Sequence, residues 1–162
     1  MDSGQNYKNR ETLNLKPLNF KSKNMIQPFH IAIPVQNLEL CRTFYRDILG
    51  CEEGRSTENW VDFNFFGHQL VIHQKDDFMP QRISNPVDGY DVPVPHFGVV
   101  LTWEDWHSFA DLLKSQNIKF EIAPCIRFQG KVGEQATMFF KDPENNALEF
   151  KAFQDIGQLF AK

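Results

Sequence analysis

Three histidines and one glutamate carry the chemistry this sequence offers: His30, His73, His96 and Glu149. Neutral imidazoles with a carboxylate form a donor set for a borderline divalent ion such as Fe, Mn, Co, Ni or Zn. Two histidines and one carboxylate leave ion positions open for substrate and O₂ or water, the facial arrangement of non-haem Fe(II) sites. Spacing separates these residues from ordinary core histidines. Pro95-His96-Phe97-Gly98-Val99-Val100-Leu101 repeats the shape of Phe29-His30-Ile31-Ala32-Ile33-Pro34-Val35, 66 residues earlier. Further on, an offset of 76 places Val61 on Thr137, Phe63 on Phe139, and Leu70-Val71-Ile72-His73 on Asn146-Ala147-Leu148-Glu149. By this alignment His30 matches His96, and His73 matches Glu149. Two such repeats related by a pseudo-two-fold axis would bring the four positions together.

Strand parity agrees. Side chains alternate between faces of a strand. Beside His30 on its face is Ala32, beside His96 is Gly98, and beside Glu149 is Ala147. The opposite faces carry Phe29, Ile31 and Ile33; Phe97, Val99 and Leu101; Leu148 and Phe150. Bulk therefore packs one way, and small neighbours leave room for a cavity on the other.

The elements that position these residues follow in a repeated order. Residues 29–35 read as a strand. Asn37 caps a helix over 38–48, closed by Gly50. Strands at about 51–56, 60–66 and 69–74 follow, the last two joined at Phe66-Gly67-His68. A second strand at 95–101 is followed by a helix over 103–116 capped by Thr102, with Asp105 in its acidic first turn. Strands at 118–127, 135–141 and 146–153 complete the repeat, the last two joined through Asp142-Pro143-Glu144-Asn145-Asn146. The expected fold is α+β: two paired β-α-β-β-β modules forming a curved mixed sheet around a metal cavity. Module one spans 28–74 and module two 95–153, within one domain over 28–153. Residues 75–94, rich in Pro, Asp and Asn, read as a long connecting loop. Residues 1–27 read as a poorly ordered extension and 154–162 as a tail.

Composition narrows the classes. A chain of 162 residues with 16 Phe can bury one sizeable aromatic core. A net charge of −4 argues against a nucleic-acid partner. No apolar run reaches the roughly 18–20 residues of a membrane span, and no signal-peptide core is visible. Three cysteines, with no CxxC, indicate neither a disulfide framework nor a thiolate zinc site. A cytoplasmic location is expected.

These paired modules, with ligands on first and last strands, resemble the vicinal oxygen chelate superfamily, which includes glyoxalase I, extradiol dioxygenases, and fosfomycin- and bleomycin-resistance proteins. The resemblance covers about residues 28–153. Within it, Trp60 to Leu70, Val94-Pro95-His96-Phe97-Gly98-Val99, and Gly133 to Phe140 through Asn146-Ala147-Leu148-Glu149-Phe150-Lys151 are similar to a group described as predicted extradiol-dioxygenase-like proteins. The resemblance implies a metal-dependent oxidoreductase acting on a small molecule with vicinal oxygens. It implies a triad of His30, His96 and Glu149 holding Fe(II), with Mn, Ni, Co or Zn as alternatives. His73 falls where glyoxalase I carries a second glutamate, so it is a fourth ligand or an acid/base beside the metal. Ring-cleaving enzymes place a tyrosine near the substrate, and Tyr90 in the long loop is the candidate. A glyoxalase-like lyase or isomerase, a thiol transferase, and a non-catalytic ligand-binding module are the alternatives. A homodimer is common on such scaffolds. Two residues outside the triad are assigned to substrate: Arg127, a loop arginine suited to an anionic group, and Gln135, which with Glu134 enters a strand near the cavity.

Overall fold

The computed structural model describes residues 27–79 and 83–162. The extension expected over 1–27 lies outside the described residues but for Gln27. Strand β1 (His30–Val35) leads to helix α1 (Leu38–Thr43), which continues as a π-helical turn over Phe44–Ile48. Asn37 caps α1 by accepting from the Leu40 amide. The widened turn carries Phe44 and Tyr45 into the core. Strands β2 (Glu52–Ser56), β3 (Trp60–Phe65) and β4 (His68–Gln74) complete module one. Module two runs β7 (His96–Leu101), α2 (Trp103–Ser115), β8 (Phe120–Arg127), β9 (Gln135–Lys141) and β10 (Ala147–Ala152). Thr102 caps α2 by accepting from the Asp105 amide.

The connection at 75–94 is not a plain loop. It contains a hairpin, β5 (Ile83–Val87) and β6 (Tyr90–Val94), turning at Asp88-Gly89 with φ of +51° and +79°. Both central residues take positive φ, as a two-residue hairpin turn requires. The Asp-Gly pair carried that signal, but Pro86 and Pro93 obscured the flanking strands. Neither proline breaks the hairpin, because a two-stranded ribbon has outer edges that need no donor.

The single curved sheet around a metal cavity is corrected by the strand pairing. Two separate four-stranded sheets form, ordered β1-β4-β3-β2 and β7-β10-β9-β8, alongside the β5-β6 ribbon. Each four-stranded sheet pairs its first strand parallel to its last and the rest antiparallel. The edges β1 and β7 do not pair. Their bulky faces instead enter one shared core, and an apolar cavity of about 460 Å³ separates the strands, lined by Ile31, Pro34, Phe78, Phe97, Asn146 and His96. Among the described residues, no three His, Cys, Asp or Glu side chains converge as a metal cage.

That shared core fixes the two modules against each other. Phe65 meets Phe97 at 5.7 Å and Phe150 at 5.8 Å between ring centroids, and Phe66 meets Phe109 at 5.3 Å. Each buried Phe contributes on the order of 2–3 kcal/mol by removal from water. Polar ties cross the same junction. Tyr45 donates to Asp142 Oδ2 at 3.0 Å, the Asn37 amide to Glu144 Oε1 at 3.1 Å, and Asn146 Nδ2 to the Pro34 carbonyl at 3.2 Å. With one face of each sheet spent on the core, the faces carrying His30 and His96 point away from it.

Candidate metal centre

His96 opens β7, and its ring is held from two sides. Nδ1 lies 2.6 Å from the Pro93 carbonyl oxygen, and the ring sits edge-on to Phe139 at 5.2 Å. A carbonyl only accepts, so Nδ1 carries the proton and Nε2 is the nitrogen left for other work. Nε2 lies 3.1 Å from Glu149 Oε2. Glu149 belongs to β10 and is 5% exposed. Its other oxygen accepts from Thr137 on β9 at 2.8 Å, and Lys151 Nζ stands 3.1 Å from Oε2.

The electrostatics follow from these contacts. The Glu149 bond raises the His96 pKa above its ordinary 6.5; burial opposes this, and the Pro93 carbonyl adds to it. Burial alone would raise the Glu149 carboxyl, but His96, Lys151 and Thr137 outweigh it and hold the group below the usual carboxylate value. A neutral His96 would turn the Nε2 lone pair against a carboxylate lone pair. The pair is therefore built for a positive charge between its atoms, a proton or a metal ion. Its donor types fit a borderline divalent ion.

The close approach of β7 to β10 explains Gly98. A Cβ there would overlap the Glu149 carbonyl oxygen and lie 2.6 Å from the carbonyl carbon. The small residue expected to leave cavity space is in fact required by backbone contact.

His30 opens β1 as His96 opens β7, and Nδ1 is likewise spent on an oxygen, Gln69 Oε1 at 2.8 Å. Nε2 is again left over. His30 is exposed, however, and is not drawn to the His96–Glu149 pair. His73 is also exposed, 6.5 Å from the Trp60 ring, and pairs in register with Pro34. The register differs from the sequence alignment here. Glu149 lies opposite Gly98, and the module-one counterpart of Gly98, Ala32, lies opposite Val71. Val71, not His73, thus stands where Glu149 stands in module two.

The remaining expected residues gather elsewhere. Arg127 is buried at the end of β8, donating from Nη2 to the Val87 carbonyl at 2.8 Å. Its guanidinium lies over the rings of Tyr90 (5.3 Å) and Phe128 (5.1 Å), with Asp88 Oδ2 at 3.8 Å from Nε. Gln135 pairs with Arg127 and lines a small cavity with Phe153 and Gln158. The neighbouring Cys125 raises the Tyr90 pKa above its ordinary value. These residues fasten the β5-β6 ribbon to β8, two strands from Glu149, where Val92 joins Ile122 and Phe139 in a second small core. Thr137 and Lys151 are the residues sequence reasoning missed. Lys151 follows Glu149 by two positions, so strand parity carried its signal. Thr137 stood as a lone hydroxyl aligned with Val61.

No helix among the described residues is long and apolar enough to cross a membrane. In comparison with known proteins, the profile of the Glyoxalase/Bleomycin resistance protein/Dioxygenase superfamily matches residues 27–150. A glyoxalase/bleomycin resistance protein/dioxygenase from Alicyclobacillus acidocaldarius is 32% identical, with a TM-score of 0.72 over 85% of this chain and 99% of that one. A lactoylglutathione lyase from Agrobacterium tumefaciens shares the fold at 16% identity, with a TM-score of 0.57 over 85% of this chain and 98% of that one. So does a variant of a fosfomycin resistance protein from Listeria monocytogenes, solved with Mn(II) and 1S,2S-dihydroxypropylphosphonic acid, at 18% identity and a TM-score of 0.62 over 85% and 98% of the two chains. The repeated strand-helix-sheet order, the His96–Glu149 pair and these likenesses lead to one assignment: the chain belongs to the glyoxalase/bleomycin resistance protein/dioxygenase superfamily.

Proposed function

We propose that this protein is a metal-dependent enzyme for small molecules with vicinal oxygens, acting as a glyoxalase-like lyase, isomerase or transferase rather than as a ring-cleaving dioxygenase. One observation carries the metal reading: Nε2 of a tautomer-fixed His96 faces Glu149 Oε2 at 3.1 Å. A divalent ion there would polarise a substrate oxygen as a Lewis acid. His96 and Glu149 supply two donors, and Thr137 orients the carboxylate. The reading turns from ring cleavage because Tyr90 lies under the Arg127 guanidinium at the far strand, while Tyr45 is fully buried on Asp142. Fe(II) and Mn(II) both suit the donor types.

His30 is proposed as the third donor, supplied by a second copy of the chain. Its ring is prepared like that of His96, with Nδ1 bonded and Nε2 left over, yet it faces outward from its own chain. A second copy pairing its module one with this module two would bring His30 to His96 and Glu149. The test is Mn(II) titration of protein purified without chelator. Wild type is expected to bind one ion per chain, and His96→Ala and Glu149→Ala to bind none while keeping their circular dichroism. Wild type that takes up no stoichiometric metal overturns the reading in favour of a non-catalytic binder.

A further inference from the structure

Lys151 is a cation on the site's own face with no role in the donor set. It follows Glu149 by two residues on β10 and so projects from the same side of the sheet. Its cross-strand neighbour is Thr137, the residue that bonds Glu149 Oε1. Its Nζ shares Oε2 with His96 Nε2, each at 3.1 Å. Glu149 is deeply buried, whereas the Lys151 side chain is 31% exposed. Among the described residues Lys151 makes no other ion pair. A buried carboxylate needs a compensating charge, and Lys151 supplies it from a long, partly solvated stem that is free to withdraw.

A divalent ion bound by His96 and Glu149 would need the same oxygen. Two cations on one oxygen repel, and the ammonium, being mobile, is the one that leaves. We propose that Lys151 is a displaceable counter-ion of Glu149. It holds the carboxylate in the metal-free protein, yields it to the incoming ion, and then offers its ammonium to an anionic group of the substrate on the same face. This rests on the metal reading above and narrows it. The substrate it calls for carries an anionic group. Metal and anion binding are thereby coupled, each favouring release of Lys151 from Glu149.

The test is calorimetric titration with Mn(II), with and without methylphosphonate as the anion probe, on wild type, Lys151→Met and Lys151→Arg. Removing the competing cation is expected to tighten Mn(II) binding by up to about fivefold in Lys151→Met, the scale of one partly exposed ion pair. Lys151→Arg is expected to keep the weaker affinity. Methylphosphonate is expected to tighten Mn(II) binding in wild type and Lys151→Arg, and to have no effect in Lys151→Met. If wild type binds Mn(II) and Lys151→Met binds it no tighter, the counter-ion inference is overturned and the metal reading stands. The same holds if Lys151→Arg behaves like Lys151→Met. No effect of methylphosphonate on wild type overturns the anion assignment. If neither wild type nor Lys151→Met binds Mn(II), the metal reading itself fails, and this inference with it.

Discussion

Each residue at the centre constrains the next. Pro93 fixes which nitrogen of His96 is free, Glu149 meets that nitrogen, and Gly98 lets the two strands come close enough for the meeting. Gly98→Ala is expected to push β10 away from β7. Such overpacking costs on the order of 1–3 kcal/mol, and it should appear as a lower urea midpoint together with weaker Mn(II) binding. An unchanged midpoint would mean that the strands absorb the methyl group without moving. The meeting of His96 with Glu149 was legible in sequence from the repeat and strand parity, whereas Gly98 is small for backbone contact and not for cavity space. His73 was misaligned because sequence matching cannot see that the β1–β4 register places Val71 opposite Ala32. Lys151 was passed over although strand parity puts it on the face of Glu149.

At the scale of elements, the π-helical turn after α1 and the β9–β10 turn are joined through Tyr45 and Asp142. Burial raises the Asp142 carboxyl above its ordinary 3.8, while bonds from Asn146, Tyr45 and the Glu144 amide pull the other way without cancelling it. A raised folded-state pKa means that the folded protein holds this proton more tightly than the unfolded chain. The contribution is fully present below the unfolded value and is lost as pH rises through the folded one. Asp142→Asn removes that slope. Its lost acceptor bonds lower the urea midpoint at every pH, so the gap between wild type and variant should narrow as pH rises from the acid range toward neutrality. A gap independent of pH would contradict the assignment. Most helices and strands were legible from periodicity and caps. The β5-β6 ribbon was not, because its contacts with Arg127, Cys125 and Ile122 are long-range and its prolines mimic a loop.

At the scale of the whole molecule, the internal repeat announced two modules, and the Phe-rich composition announced their core. What sequence could not tell was which faces meet. Phe65, Phe66 and Tyr45 commit the helix-bearing sides of both modules to one interior. His30 and His96 are exposed on the opposite sides, and His30 stands apart from His96 and Glu149. The account thus predicts a site shared between two chains. The most direct test mixes two inactive variants. His30→Ala and His96→Ala are each expected to bind no Mn(II). Unfolded together and refolded as a mixture, they should form hybrid dimers in which one site joins His30 of the His96→Ala chain to His96 and Glu149 of the His30→Ala chain. Mn(II) binding should then return to about a quarter of the wild-type amount, the share of intact sites expected for random pairing of two chains. Return of binding at that level supports the shared site; no return from a mixture that forms hybrid dimers would contradict it.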